Sequence, residues 1–177
     1  MSILVFEHRT PRSIQNFYNY LTDPLKTSCE YIFGIGCNPL NAAKEMLLVK
    51  DNIFYKDDLI HSYLQVIFVF DEGLSLPLDY VKNICIDIGY ALIIDQRQLF
   101  GAIHYKDKDQ FKTHCHYMIN SVSIEGKLYH QVYSLQHYKK AINNILTSHG
   151  LNPIRMYKSC YKNFEWDYNA LIPLDLI

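Results

Sequence analysis

No two cysteines in this chain stand at C-x-x-C spacing, and the five present (Cys29, Cys37, Cys85, Cys115 and Cys160) are odd in number. That argues against a disulfide framework or a thiolate zinc site and for reduced thiols in a cytosol. No apolar run approaches the roughly 20 residues of a membrane span. The opening MSILVFEHRT is charged too early for a signal peptide. A cytoplasmic protein with no membrane insertion is expected. Excess charge is missing too: the net charge is -1, so nothing global announces a polyanionic partner, although a local basic face is compatible with a neutral total. Repeats and low-complexity linkers are absent, which predicts one domain over residues 1–177. What the chain does have is apolar and aromatic weight. A hydrophobic share of 49% is enough for one real core. The 15 tyrosines are numerous enough to offer stacking platforms as well as filling that core.

Along the chain, residues 3–6 are apolar and β-prone and predict a first strand. Ser13 is placed to cap a short helix through Leu21, which Pro24 stops. Asn38 before Pro39 predicts a cap and first turn for a helix to about residue 51. The run YLQVIFVF at 63–70 predicts a buried central strand. Ser75 and Pro77 open a helix that Gly89 closes; strands follow at 99–105 and 113–122. Glu125-Gly126 predicts a hairpin turn into 127–131, and Ser134 caps an amphipathic helix to Ser148 with Gly150 as its stop. Strands and helices that do not alternate regularly predict an α+β fold, a central antiparallel sheet flanked by helices lying on one side of it.

The most informative stretch is GAIHYKDKDQFKTHCHYMINS, residues 101–121. His114 and His116 are one residue apart on a segment that reads as extended, so period two sets both imidazoles on one face. His104 ends the preceding strand, and antiparallel pairing brings it to the other two. Three neutral imidazoles leave coordination positions open, as a catalytic divalent site requires. His8, His61, His130, His137 and His149 have no such arrangement and read as structural or exposed, with His130 the nearest to the site. The loop charges Lys106, Asp107, Lys108, Asp109 and Lys112 read as a solvated rim.

At these residues the chain resembles the relaxase/mobilisation nuclease family, a branch of the H-hydrophobic-H endonucleases, over about residues 13–152. The triad is followed by Asn120-Ser121-Val122 and by the Gly126-Lys127 turn into Tyr129-His130. Upstream, Tyr20-Leu21-Thr22-Asp23-Pro24-Leu25-Lys26-Thr27 is similar to the family's Y-[IL]-x-[ND]-P-x-K-T block. Gly36-Cys37-Asn38-Pro39 with Ala42, Ala43, Glu45 and Met46 is similar to its N-C-x-P…A-x-x-E-[MF] helix. Ser148-His149-Gly150-Leu151 falls where such domains close a helix in Y-G-L. There are departures. Cys115 fills the middle of H-x-H, and the loop before His114 is a few residues longer. The family's H-x-x-Q-S-F strand reads Gln65-Val66-Ile67-Phe68-Val69-Phe70. No helicase, primase or coiled-coil region follows, which suggests a minimal or truncated relaxase.

The resemblance implies a bacterial, cytoplasmic, strand-specific endonuclease that nicks a plasmid or integrative element's transfer origin through a 5′-phosphotyrosine. Its partners would be single-stranded DNA beside a hairpin, relaxosome accessory proteins and a type IV secretion coupling protein. The nucleophile it implies is Tyr20; Tyr18 sits about 200° away on a helix, so only one of the two faces the site. Phenols ionise near pH 10 in water (about 10), so attack needs activation by a base, a metal field or both. A divalent ion on His104, His114 and His116, whether Mn²⁺, Mg²⁺, Zn²⁺ or Ni²⁺, would polarise the phosphate. Asp71 or Glu72 would orient a ligand or take the phenolic proton. Asn120, on the face of the histidines by period two, would bond a phosphate or a ligand. Arg9, Arg12, Lys26, Lys112 and Lys127 are candidate phosphate contacts. Two other readings stand beside this one. Tyr138, on the later helix, is the nucleophile in a rolling-circle initiator or single-tyrosine transposase arrangement. Alternatively, the fold persists in a non-catalytic DNA-binding accessory protein.

Overall fold

The computed structural model describes residues 2–7, 13–53, 63–70, 76–93, 96–106, 113–128 and 135–154. In chain order the elements are β1 (Ile3–Glu7), α1 (Ile14–Leu21), a 3₁₀ turn (Cys29–Tyr31), β2 (Ile32–Ile35), α2 (Ala42–Asn52), β3 (Tyr63–Val69), α3 (Leu78–Leu92), β4 (Leu99–His104), β5 (His114–Asn120) and α4 (Leu135–Ser148). The strands form one antiparallel sheet in the order β1-β3-β5-β4-β2, with β5 in the middle. The run at 63–70 is therefore an inner strand, one place from the centre. The four described helices and the antiparallel sheet make an α+β fold, as the pattern of elements predicts.

The helices cover both faces of the sheet, not one. Every residue of β4 and β5 is buried, which an antiparallel sheet achieves only with a layer on each side. One face packs Val66, Phe68, Ile103, Cys115 and Tyr117 against α3 (Ile84, Cys85, Ile88) and α4 (Tyr138, Ile142, Leu146). The other packs Tyr63, Phe100, Ala102 and Met118 against α1 (Ile14, Phe17, Leu21) and α2 (Ala42, Ala43, Met46). Strand parity thus divides β5: odd positions enter the first core, and even positions, including His114 and His116, face the second.

Several local expectations are revised. The α2 helix starts at Ala42 and not at Pro39. The Asn38 side chain accepts from Leu40 N–H at 3.0 Å and Asn38 N–H donates to Glu45 at 3.0 Å, so 38–41 is a separate turn set against the helix. Gly89 lies inside α3 and does not end it. A Cβ there would stand 2.9 Å from Ile35 Cδ1, so the missing side chain lets α3 close on β2. The short β2 went unpredicted. Ser13 caps α1 as expected, its hydroxyl accepting from Asn16 N–H at 3.1 Å. Among the described residues beyond Asn120, Val122 bridges Leu128 around the Glu125-Gly126 turn; residues 129–131 and Ser134 lie outside the described residues, as does Ser75.

Candidate metal centre and active site

The hairpin-related pair β4 and β5 builds the centre. His104 and His114 are cross-strand partners, and His116 lies opposite Ala102 two positions on. The even parity of 104, 114 and 116 therefore gathers the three rings on one face. Ring centroids are 5.2 Å apart for His104–His114, 4.7 Å for His104–His116 and 4.9 Å for His114–His116. All three are buried, and one nitrogen from each lies within 4.8 Å of the others. Two nitrogens on one ion stand at most about 4.2 Å apart, twice a metal–nitrogen bond. Three buried imidazole nitrogens gathered this closely on one sheet face could hold a divalent cation once the rings draw together. Nitrogen-only donors favour Zn²⁺, Ni²⁺ or Mn²⁺ over Mg²⁺, which prefers oxygen.

The partners of the rings constrain which nitrogens remain for a ligand. His104 Nε2 is 3.0 Å from the carbonyl oxygen of Leu21. A carbonyl only accepts, so His104 donates from Nε2 and keeps its Nδ1 lone pair. His116 Nδ1 is 3.3 Å from the side-chain amide of Gln65 on β3. Metal-bound histidines donate the N–H of their other nitrogen to a partner, as His104 does here to the Leu21 carbonyl. Sequence reasoning missed Gln65; the available signal was one amide in the otherwise apolar YLQVIFVF.

Tyr20 sits at the rim. Its ring meets His104 and His116 edge-on, each at 5.8 Å between centroids, and is 38% exposed, so the phenol is open to solvent while it touches the cluster. The chain then reverses. Asp23 accepts from Leu25 N–H at 2.9 Å through its side chain, and from Lys26 N–H and Thr27 N–H through its carbonyl. That turn returns Lys26 so that its Nζ lies 3.6 Å from the Tyr20 ring centroid. Lys106, expected in a solvated rim, instead donates to the carbonyls of Pro24 at 3.0 Å and Thr27 at 2.8 Å. The loop after Tyr20 is thereby tied to the end of the strand that carries His104.

Tyr18 is directed elsewhere. Its hydroxyl donates to the Pro39 carbonyl at 2.9 Å and its ring packs on Phe100. Burial, and then the nearby Cys37, push its phenol above the usual tyrosine range. The Cys37 thiol is itself pushed up to about 12, mainly by burial. Tyr138 is buried in the core of the opposite face, against Phe6 at 5.4 Å, with the sheet between it and the histidines. Tyr138 therefore does not face the histidine cluster.

Asn120 shares the histidine face but not their centre. It lies four residues beyond His116, about 13 Å along an extended strand. It is fully buried, donating to Met46 O at 3.2 Å and Gln98 Oε1 at 3.1 Å and accepting from Val122 N–H at 3.2 Å. Those bonds make it a clasp between β5 and α2. Lys127 pairs with Glu125 at 2.7 Å on the surface, and His149 bridges Asp87 at 2.9 Å and the Tyr80 hydroxyl at 3.0 Å. Arg9, Arg12, Asp71, Glu72, Lys112, His8, His61 and His130 lie outside the described residues.

The described residues thus bring three buried histidines together on an inner strand pair with a tyrosine at the rim. A family model described as relaxase, MobA/VirD2-like, nuclease domain matches residues 20–151, a span holding Tyr20 and all three histidines. The chain belongs to the relaxase family. No curated protein matches it significantly. Family membership supports a nicking endonuclease role on nucleic acid, and no helix among the described residues is long and apolar enough to cross a membrane.

Proposed function

We propose that this chain is a metal-dependent transesterase that nicks one DNA strand at a transfer origin, with Tyr20 as nucleophile. The observation that carries the reading is the position of the Tyr20 ring, 5.8 Å from both His104 and His116 and open to solvent. The Tyr20 oxygen attacks the scissile phosphorus, the P–O3′ bond breaks, and the 5′-phosphate stays on the enzyme as a phosphotyrosine. The phenol gives up one proton and the departing 3′ oxygen takes one, so the step is balanced and reversible. His104, His114 and His116 would hold a divalent ion, which would supply Lewis-acid polarisation of the phosphate oxygens. Lys26 sets a positive charge against the ring that becomes anionic during religation. His104 holds the end of α1 through the Leu21 carbonyl, so nucleophile and donor set move as a unit.

The substrate is single-stranded DNA beside a hairpin, in a bacterial cytoplasm, with relaxosome accessory proteins and a type IV coupling protein as the partners of this role. The test is incubation with origin-derived single-stranded oligonucleotides and Mn²⁺ or Mg²⁺, followed by a denaturing gel. A covalent adduct mapped by peptide mass to Tyr20 supports the reading. Tight hairpin binding without cleavage would leave a DNA-binding accessory protein instead.

A further inference from the structure

We infer that Gln65 is a positioning residue that selects the tautomer of His116 and so sets the metal affinity of the centre. This rests on the three-histidine reading above and extends it to a residue on a third strand. Gln65 is an even-face neighbour of the site: it pairs with Met118 in register, and Ile67, two residues on, pairs with His116. Its amide reaches diagonally to His116 Nδ1 at 3.3 Å, with both side chains buried. It also stands where the family's H-x-x-Q-S-F strand begins with histidine, so this chain supplies its own chemistry at that place.

The two ends of a carboxamide are nearly equal in size and opposite in function. With the amide nitrogen toward Nδ1, as the structure has it, Gln65 donates, Nδ1 accepts, and the ring hydrogen sits on Nε2. In that state Nε2 has no lone pair to offer. A half-turn about the last side-chain bond presents the oxygen, Nδ1–H donates to it, and Nε2 becomes the ligand atom. The side chain is long enough to reach His116 from the neighbouring strand. Loading the centre therefore turns the Gln65 amide, and the amide in turn fixes the ring against rotation. Partners of this kind change metal affinity by about 10–100-fold.

The experiment is calorimetric titration of the full chain with Zn²⁺ or Co²⁺, without DNA, for wild type, Gln65→Leu and Gln65→Glu, with thermal melts alongside. The His116 tautomer is read by long-range ¹H–¹⁵N NMR with and without Zn²⁺. Gln65→Leu fills the same volume but cannot accept, and should weaken binding by about 10-fold or more while the melt stays near wild type. Gln65→Glu can only accept when ionised, and should bind at least as tightly as wild type with the hydrogen fixed on Nδ1. A space-filling residue would not give opposite responses to these two changes. Equal affinity in wild type and Gln65→Leu, or an Nε2–H tautomer in the Zn²⁺-loaded protein, overturns the role of Gln65 alone. Failure of the wild type to bind either metal overturns the centre itself, and this role with it. If Gln65→Leu unfolds, the Gln65→Glu affinity and tautomer decide.

Discussion

The imidazole of His104 donates from Nε2 to the carbonyl of Leu21 at 3.0 Å, one residue past Tyr20. A ring on the sheet and the end of a helix are thus joined by a buried hydrogen bond. Tyr105 and Lys106 N–H add two more bonds to the Lys26 carbonyl, at 3.1 and 3.2 Å. Whatever displaces β4 at that end displaces the tyrosine with it.

Tyr20→Phe should abolish the covalent adduct while leaving the fold and DNA affinity intact, because only one exposed oxygen is removed. Tyr18→Phe should keep the adduct but lower stability by about 1 kcal/mol, through loss of the bond to the Pro39 carbonyl. Denaturing gels and urea melts on the two variants separate these outcomes; adduct formation by Tyr20→Phe at the wild-type rate would refute the nucleophile.

Chelation with EDTA, or His114→Ala, should remove cleavage and leave oligonucleotide binding within a few-fold of wild type. Affinity for a nucleic acid comes from many phosphate and stacking contacts, whereas the chemistry depends on one centre. Fluorescence anisotropy beside a nicking assay reads both; unchanged cutting by chelated protein would remove the metal from the mechanism.

Lys106→Met should slow adduct formation by roughly 10- to 100-fold, since a misplacement of a reacting group by about 1 Å can cost about 100-fold in rate. The variant loses both tethers to Pro24 and Thr27 but no group that touches the phosphate. Single-turnover kinetics, with metal affinity measured in parallel, test this: the rate should fall while the affinity holds.

Tyr138→Phe should nick at the wild-type rate, and Tyr138→Ala should lose about 3–5 kcal/mol of stability, as expected for an aromatic in a closed core. Loss of the adduct in a well-folded Tyr138→Phe would return the later helix to consideration.

Thiol labelling should separate the described cysteines. Cys29 is exposed and should react first. Cys37, held at about 12, and the fully buried Cys85 should react only as the protein unfolds. Mass mapping of alkylated peptides over time checks the order.

How far the sequence could be read depended on the distance over which each signal acts. His104, His114 and His116 were legible because a strand has period two and a short connection between β4 and β5 leaves antiparallel pairing as the simple solution. Ser13 and Gly150 were legible because capping is local; Gly150 takes the left-handed φ of 69° that a helix stop requires. The β2 strand was not legible: Ile-Phe-Gly-Ile is β-prone but only four residues long and broken by Gly34, and its pairing with β4 is a contact across more than 60 residues of chain. Gln65 and Lys106 were read as departure and surface because their partners are 51 and 82 residues away in the chain. Asn120 was placed on the correct face, but parity says nothing of position along the strand. The second helical layer was implied by the nearly unbroken apolar run at 63–70, which a half-exposed strand would not need.

The parity of β5 also governs how this domain can change over generations. Cys115 and Tyr117 anchor one core while His114 and His116 face the other way, so a single strand serves as keel and workbench. Lengthening the connection before His114 leaves this division untouched. Inserting or deleting one residue between His114 and His116 would instead turn the remainder of the strand over, leaving the two imidazoles on opposite faces of the sheet. Evolution can therefore lengthen the loops around this centre freely, but it must keep count inside the strand.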